Sequence, residues 1–247
     1  MKLDWKRYLV IAMNMLAAVY LLLAVTAFNK PDDAVTVCSK VKIDIRDNIV
    51  DGFLNTDEIK SILQRNKIYP LGKSMQEVNV RKMEEVLQQS PFVDKVQCYK
   101  TQGGQVCISL TQRMPLIRVK ADNGDDYYLD SRGGIMPYTR YVTDLVIATG
   151  HIDRKYAQRV LTPMGNYIVK NKFWQNQIVQ LNVLPDGSVE MVPRVGEHIV
   201  YLGHPHHVDK KLNRLEKFYK YGLNRVGWNK YSYISLEFDN QIICKKN

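Results

Sequence analysis

Gly203-His204-Pro205-His206-His207, with His198 just upstream, gathers four of the chain's five histidines into ten residues. Imidazoles crowded into one loop can ligate zinc. Here no Cys, Asp or Glu lies at a ligand-like spacing, and His204 and His206 flank a proline in a surface turn, so a turn explains the cluster better than a metal centre. Asp125, Asp126 and Asp130 are the second candidate, because a pair of carboxyls roughly 5 to 9.5 Å apart can cleave a glycan. Aspartate also favours turns through local backbone hydrogen bonds, which accounts for all three more simply. The sequence contains no Gly-x-Ser-x-Gly elbow, phosphate-cradling glycine loop or dinucleotide fingerprint. The chemistry-bearing residues therefore point to a binding protein and not to an enzyme, with no metal or cofactor implied.

The elements around these residues begin with Tyr8 to Phe28, a run without a formal charge whose one strongly polar side chain is Asn14. As a helix it rises roughly 31 Å, about the thickness of a bilayer's hydrocarbon core. Lys2, Lys6 and Arg7 outweigh Asp4 before it, while Lys30 is followed by Asp32 and Asp33 beyond it. The positive-inside bias then keeps residues 1–7 cytoplasmic and exports the remainder. A cleavable signal peptide is the competing reading, with Val25-Thr26-Ala27 as a small-residue site. The length of the apolar run favours a retained anchor.

The whole chain carries a formal charge of +10, and the exported part keeps +8. Behind a membrane the available anions are phospholipid headgroups, cell-wall polymers and acidic protein faces, and no nucleic acid is expected. The basic residues are scattered, as for a solubilising surface. Four cysteines are too few for a disulfide scaffold. A two-residue turn at Gly103-Gly104 would pair Lys100 with Cys107 and leave Cys98 diagonal to it, which suits buried free thiols better than a bridge. Whether Cys98 pairs with Cys107, or Cys38 with Cys244, stays open at this level.

Two domains are expected beyond the span. In the first, residues 37–119, Val41, Ile43 and Ile45 alternate with polar residues as in a half-buried strand. Thr56-Asp57-Glu58 caps a helix with Ile59, Ile62 and Leu63 on one face, and Asn79 precedes a second carrying Val80, Met83 and Leu87. Val93 to Lys100 and Gln105 to Gln112 complete a βααββ order. That order resembles a POTRA domain. Ser90-Pro91-Phe92-Val93-Asp94-Lys95-Val96 looks like its helix-to-strand junction, and Gln112-Arg113-Met114-Pro115-Leu116-Ile117 like its exit.

Residues 120–247 read as a β-rich domain. Asp126 to Ile135 forms strand, turn, strand, and Asp130-Ser131-Arg132-Gly133 is similar to an Asp-x-x-Gly turn opening the second domain of the same kind of protein. Tyr156 to Lys172 is helical, with Pro163 either kinking it or starting a new helix capped by Thr162. Pro185-Asp186-Gly187 joins a hairpin, and Val208, Leu212, Leu215, Phe218 and Tyr219 line a later helix whose polar side holds Lys210, Lys211, Arg214 and Lys217. Ile234, Leu236 and Phe238 alternate inward along a last strand, which puts Tyr231 and Tyr233 on its outer face. Gln241 to Cys244 would follow as an edge strand.

Ile234-Ser235-Leu236-Glu237-Phe238-Asp239-Asn240 resembles the closing motif of the FtsQ/DivIB family of bacterial cell-division proteins. With the head, the span and the POTRA-like unit, the resemblance covers nearly the whole chain. It implies an α+β protein: a transmembrane helix, a small βααββ POTRA-like domain and a larger antiparallel β-domain with flanking helices. It also implies a non-catalytic divisome scaffold, single-pass in the inner membrane at the septum. Its periplasmic domains would recruit FtsB- and FtsL-like bitopic proteins to support septal peptidoglycan synthesis, with other divisome components on the POTRA-like domain. The expected partner site is Tyr231, Tyr233, Ser235, Glu237, Phe238, Asp239, Asn240, Gln241, Ile242 and Ile243, because an open strand edge can accept a partner strand. A POTRA-containing envelope transport or assembly factor, binding client polypeptides, is the alternative.

Overall fold

The computed structural model describes residues 5–27, 36–46, 53–139 and 144–247. Helix α1, Trp5–Ala27, stands first; its Tyr8–Val25 stretch has a mean hydropathy of 2.3 and none of it is buried by the rest of the protein. It is long and apolar enough to cross a membrane. The head residues up to Asp4 and the Lys30, Asp32 and Asp33 flank lie outside the described residues.

The chain divides into two compact units, Met1–Arg46 with Thr56–Leu87 and Val96–Leu110, and Asp47–Asn55 with Gln88–Lys95 and Thr111–Asn247. The first has the expected βααββ order. Strand β1, Lys40–Ile45, is followed by α2, Thr56–Arg65, and α3, Val80–Gln88, then by β2, Val93–Lys100, and β3, Gln105–Gln112. The sheet order is β1-β3-β2, with β1 parallel to β3 because two helices intervene before the chain returns. Asp57 and Glu58 in the first turn of α2 complement its dipole. The spacing of Ile59 and Leu63, and of Met83 and Leu87, buries one stripe of each helix.

One expectation fails at the β2–β3 turn. Thr101 bonds to Gln105 and Gly104 to Thr101, so the chain turns through four residues, with Gly104 at φ +69°. The longer turn shifts the register, and it is Tyr99 whose hydroxyl meets Cys107. Cys98 points into the core, where burial and then Glu84 push its thiol up to about 12. All four cysteines are free thiols.

The larger unit is a nine-stranded sheet in the order β12-β11-β10-β9-β8-β7-β4-β5-β6. Its strands are β4 Pro115–Ala121, β5 Asp126–Asp130, β6 Ile135–Pro137, β7 Val146–Gly150, β8 Ile178–Val183, β9 Val189–Pro193, β10 Ile199–Gly203, β11 Tyr231–Ser235 and β12 Ile243–Lys246. Helices α4 Arg154–Tyr156, α5 Thr162–Lys170 and α6 Lys172–Gln177 lie between β7 and β8. Helices α7 Val208–Phe218 and α8 Asn224–Val226 lie between β10 and β11. The sheet is mixed where an antiparallel one was expected. β4 and β7, β7 and β8, and β10 and β11 pair in parallel; helical crossovers return the chain between β7 and β8 and between β10 and β11, and the β5–β6 strands intervene between β4 and β7.

Met164, Ile168, Trp174, Leu212, Leu215, Tyr219 and Leu223 pack with the inward residues of the strands in one core. A new helix does start beside Pro163, but Thr162 is its first residue and not its cap, which is Leu161. A π turn, Ala157–Leu161, leads into α5, Thr162 N–H reaches back five residues to Ala157, and Pro163 falls in the first turn of α5, where its missing N–H costs little. A second π turn, Tyr219–Leu223, joins α7 to α8. Lys211, expected on the polar side of α7, is buried, and its ammonium donates to the carbonyls of Leu202 (2.6 Å) and His204 (2.9 Å).

Candidate functional site

The candidate site is built on β11, β12 and the turn between them. Strand β11 runs parallel to β10, with Ile199 opposite Tyr233 and Tyr201 opposite Ser235, and antiparallel to β12, with Ser235 opposite Ile243 and Ile234 opposite Cys244. Nothing among the described residues pairs with the far side of β12, so its main-chain donors and acceptors on that side are open. Ile243 is 49% exposed on it, followed by exposed Lys245 and Lys246.

Apart from Ile243 on the open edge, the expected site residues separate into three groups. Tyr233 and Ser235 are half-buried on the outer face of the sheet, where Tyr233 stacks on Tyr201 with centroids 6.1 Å apart. Burial, with Glu190, Tyr201 and Glu237 nearby, raises the Tyr233 phenol above its ordinary value, so it stays a neutral hydrogen-bonding group. Glu237, Phe238, Asp239, Asn240 and Gln241 form the exposed turn, in which Asn240 has φ +63°. Ile242 and Tyr231 pack against the core instead.

Two of these placements differ from the alternation. Tyr231 turns inward beside Phe218 because a bulge between Tyr231 and Tyr233 inserts an extra residue and flips the face. Phe238, expected inward, is 51% exposed, because β11 ends at Ser235 and only Ile234 and Leu236 stay buried. Leu236 is the last residue before the turn that is tied to β10. Its N–H donates to Tyr201 (2.8 Å) and its carbonyl accepts from Arg214 Nη2 (2.8 Å).

Sequence reasoning missed what the turn faces. Asp239 and Asn240 line a cleft of about 530 Å³ with His207, Lys210, Asn213, Arg214 and Lys217. Lys210, Arg214 and Lys217 recur at four and three residues along α7, a spacing that puts them on one helix face and could have flagged the cleft. Lys211 lies below that face, its pKa held down by burial and then by Arg214, against the pull of Glu237 and Asp239. The cleft offers an acidic chain both charge and a rim of amides. Gly203, at φ +66°, lets Glu237 lie across it, since an added Cβ would stand 3.2 Å from Glu237 Cγ.

The residues that first suggested catalysis are occupied otherwise. His204 and His206 stand 6.4 Å apart between ring centres, and among the described residues no group of three or more His, Cys, Asp or Glu is placed to hold a metal. His198 is buried, 2.8 Å from the Tyr219 hydroxyl, and burial lowers its pKa against the opposing pull of the Trp228 backbone carbonyl. Asp126 makes a two-pronged pair with Arg118 at 3.0 and 2.8 Å, which holds its carboxyl below the usual range. Asp130 is nearly inaccessible and accepts from the N–H groups of Arg132 (2.8 Å) and Gly134 (2.7 Å) and from Arg113 (2.7 Å). Burial alone would raise its pKa, but Gly134, Arg113 and Arg132 together bring it below the ordinary value.

Arg113 also donates to the Pro91 carbonyl (3.2 Å), and its own N–H to that of Phe92 (2.8 Å). The two sequence motifs around Pro91 and Arg113 thus meet at Asp130. A family described as FtsQ/DivIB, C-terminal related, matches residues 114–245, more than half of the chain. The chain belongs to the FtsQ/DivIB family. A POTRA-like domain matches residues 36–111. A comparison with curated proteins finds no match. FtsQ/DivIB proteins are a non-catalytic scaffold family of cell division. Helix α1 and the family together make this a membrane-anchored protein.

Proposed function

We propose that this FtsQ/DivIB protein is a divisome scaffold that binds FtsB- and FtsL-like partners through strand addition at β12. Residues 1–7 would be the cytoplasmic head, 8–28 the inner-membrane span, 37–119 a POTRA-like domain for other divisome components, and 120–247 the partner-binding domain. Both domains would lie in the periplasm at the septum. The observation that carries this reading is the open edge of β12 at the end of a nine-stranded sheet, flanked by exposed Ile243 and Phe238. A strand added there gains main-chain hydrogen bonds, and its alternate side chains would meet Ile243 and Lys245. Glu237 calls for a basic partner residue, while Lys245, Lys246 and the α7 cleft call for acids.

The test is capture of FtsB- and FtsL-like proteins by the detergent-solubilised chain and by a Phe238→Asp, Ile243→Asp double variant. Both side chains are about half exposed, so the variant should keep its circular dichroism while capture falls at least about tenfold, the effect of losing a central apolar contact. Equal capture by the variant would remove β12 as the site. No capture of either protein by the parent chain would overturn the divisome reading in favour of client-polypeptide binding.

A further inference from the structure

Asn14 has no role in the strand-edge site. It is the one strongly polar side chain between Tyr8 and Val25, and it lies exposed on α1. At about 9 Å of helical rise past Tyr8, it is too deep for its short side chain to reach the interface as a lysine would. Its NH₂ can return a hydrogen bond to a backbone carbonyl one turn earlier. Its carbonyl has no such outlet. The backbone N–H groups at that depth are already spent in the helix, and the neighbouring side chains are apolar. The amide therefore needs a donor from outside its own helix.

Val10, Asn14, Ala17, Ala18 and Leu21 recur at three- and four-residue steps and share one face of α1. Ala17 and Ala18 lie one turn beyond Asn14, where small side chains let two helix backbones approach closely enough for an amide to cross. We propose that α1 pairs with the α1 of a second copy of this chain, in parallel, through reciprocal Asn14 amide hydrogen bonds. The occupant follows from the group itself. An amide carries both donor and acceptor, and parallel insertion puts the same amide at the same depth in each copy, so a two-fold pair satisfies both carbonyls. One asparagine in an otherwise apolar seam also fixes register and favours two strands. The inference rests on α1 being a membrane span.

The test uses the full-length chain, labelled at the N-terminal amine with donor or acceptor fluorophore, in phosphatidylcholine and phosphatidylglycerol vesicles. Flotation on a density gradient first establishes insertion. Energy transfer should persist as lipid is added. Asn14→Leu should still float but associate about five- to thirtyfold more weakly, the range for interhelical hydrogen bonds in lipid. Asn14→Gln should retain pairing, and so should Leu16→Ala, about 200° around the helix from Asn14. Transfer equal in the Asn14→Leu variant, or absent from floating parent chain, overturns the pairing alone. A chain that fails to float overturns the span and the pairing with it.

Discussion

The two ends of the nine-stranded sheet solve the edge problem in opposite ways. At one end β6 has three residues and finishes at Pro137, so it offers almost no edge. Its neighbour β5 is fastened by Asp130, with three groups donating to its carboxylate, and Tyr128 is covered by Phe53, whose ring in turn stacks on Phe92 at 5.6 Å. Arg118 lies over the Tyr138 ring at 4.1 Å while pairing with Asp126. At the other end β12 is held by backbone pairing to β11 and shows mostly exposed side chains. Buried polar and aromatic groups fasten the first end, whereas the outermost strand of the second presents an open backbone edge. Structural fastening and the proposed binding edge thus fall at opposite ends of one sheet.

Substitutions can test that separation by size of effect. Asp130→Ala leaves Arg113 without its carboxylate partner and two N–H groups unsatisfied, and should cost about 3 kcal/mol in urea denaturation followed by Trp174 and Trp228 fluorescence. A loss under about 1 kcal/mol would mean the fastened end contributes little. Gly134→Ala places a Cβ 1.8 Å from Arg113 Nη2 and 2.8 Å from Asp130 Oδ2, for an expected cost of about 2 kcal/mol. Because both changes break the same contacts, the double variant should fall well short of their sum. Additivity would separate Gly134 from the Asp130 cluster.

Acid probes a point nearer the open end. His198 is buried with its pKa lowered, so the unfolded chain binds its proton more readily than the folded one. The stability gained by keeping it neutral is present above the ordinary value of about 6.5 and declines as pH falls below it. Thermal melts between pH 7 and 5 should drop for the parent chain and flatten for His198→Asn; parallel slopes would exclude His198 as the source. Smallest of all, Ile243→Asp alone should change stability by less than about 0.5 kcal/mol, since the side chain is half exposed on an unpaired edge. A larger loss would make β12 part of the core support and blur the contrast between the two ends.

Much of the architecture was legible in advance because it depends on local period and turn chemistry. Val41, Ile43 and Ile45, the α2 and α3 stripes, and Pro185-Asp186-Gly187 all formed the elements their spacing predicts. What escaped was each feature set by a partner far along the chain. The bulge that turns Tyr231 inward is a property of the β11–β12 pairing, and the early end of β11 exposes Phe238. Lys211 looked like a surface residue because nothing in its neighbourhood announces the carbonyls of Leu202 and His204. The sequence by itself determined the apolar span with its lone asparagine, the βααββ order and the family motifs, since each is written in residues a few positions apart. Only the tertiary structure decided that Pro91, Arg113 and Asp130 meet, that crossover connections make the sheet mixed, and that the turn at Asp239 faces a basic cleft. Those depend on contacts between distant segments, whose geometry no short window of residues contains.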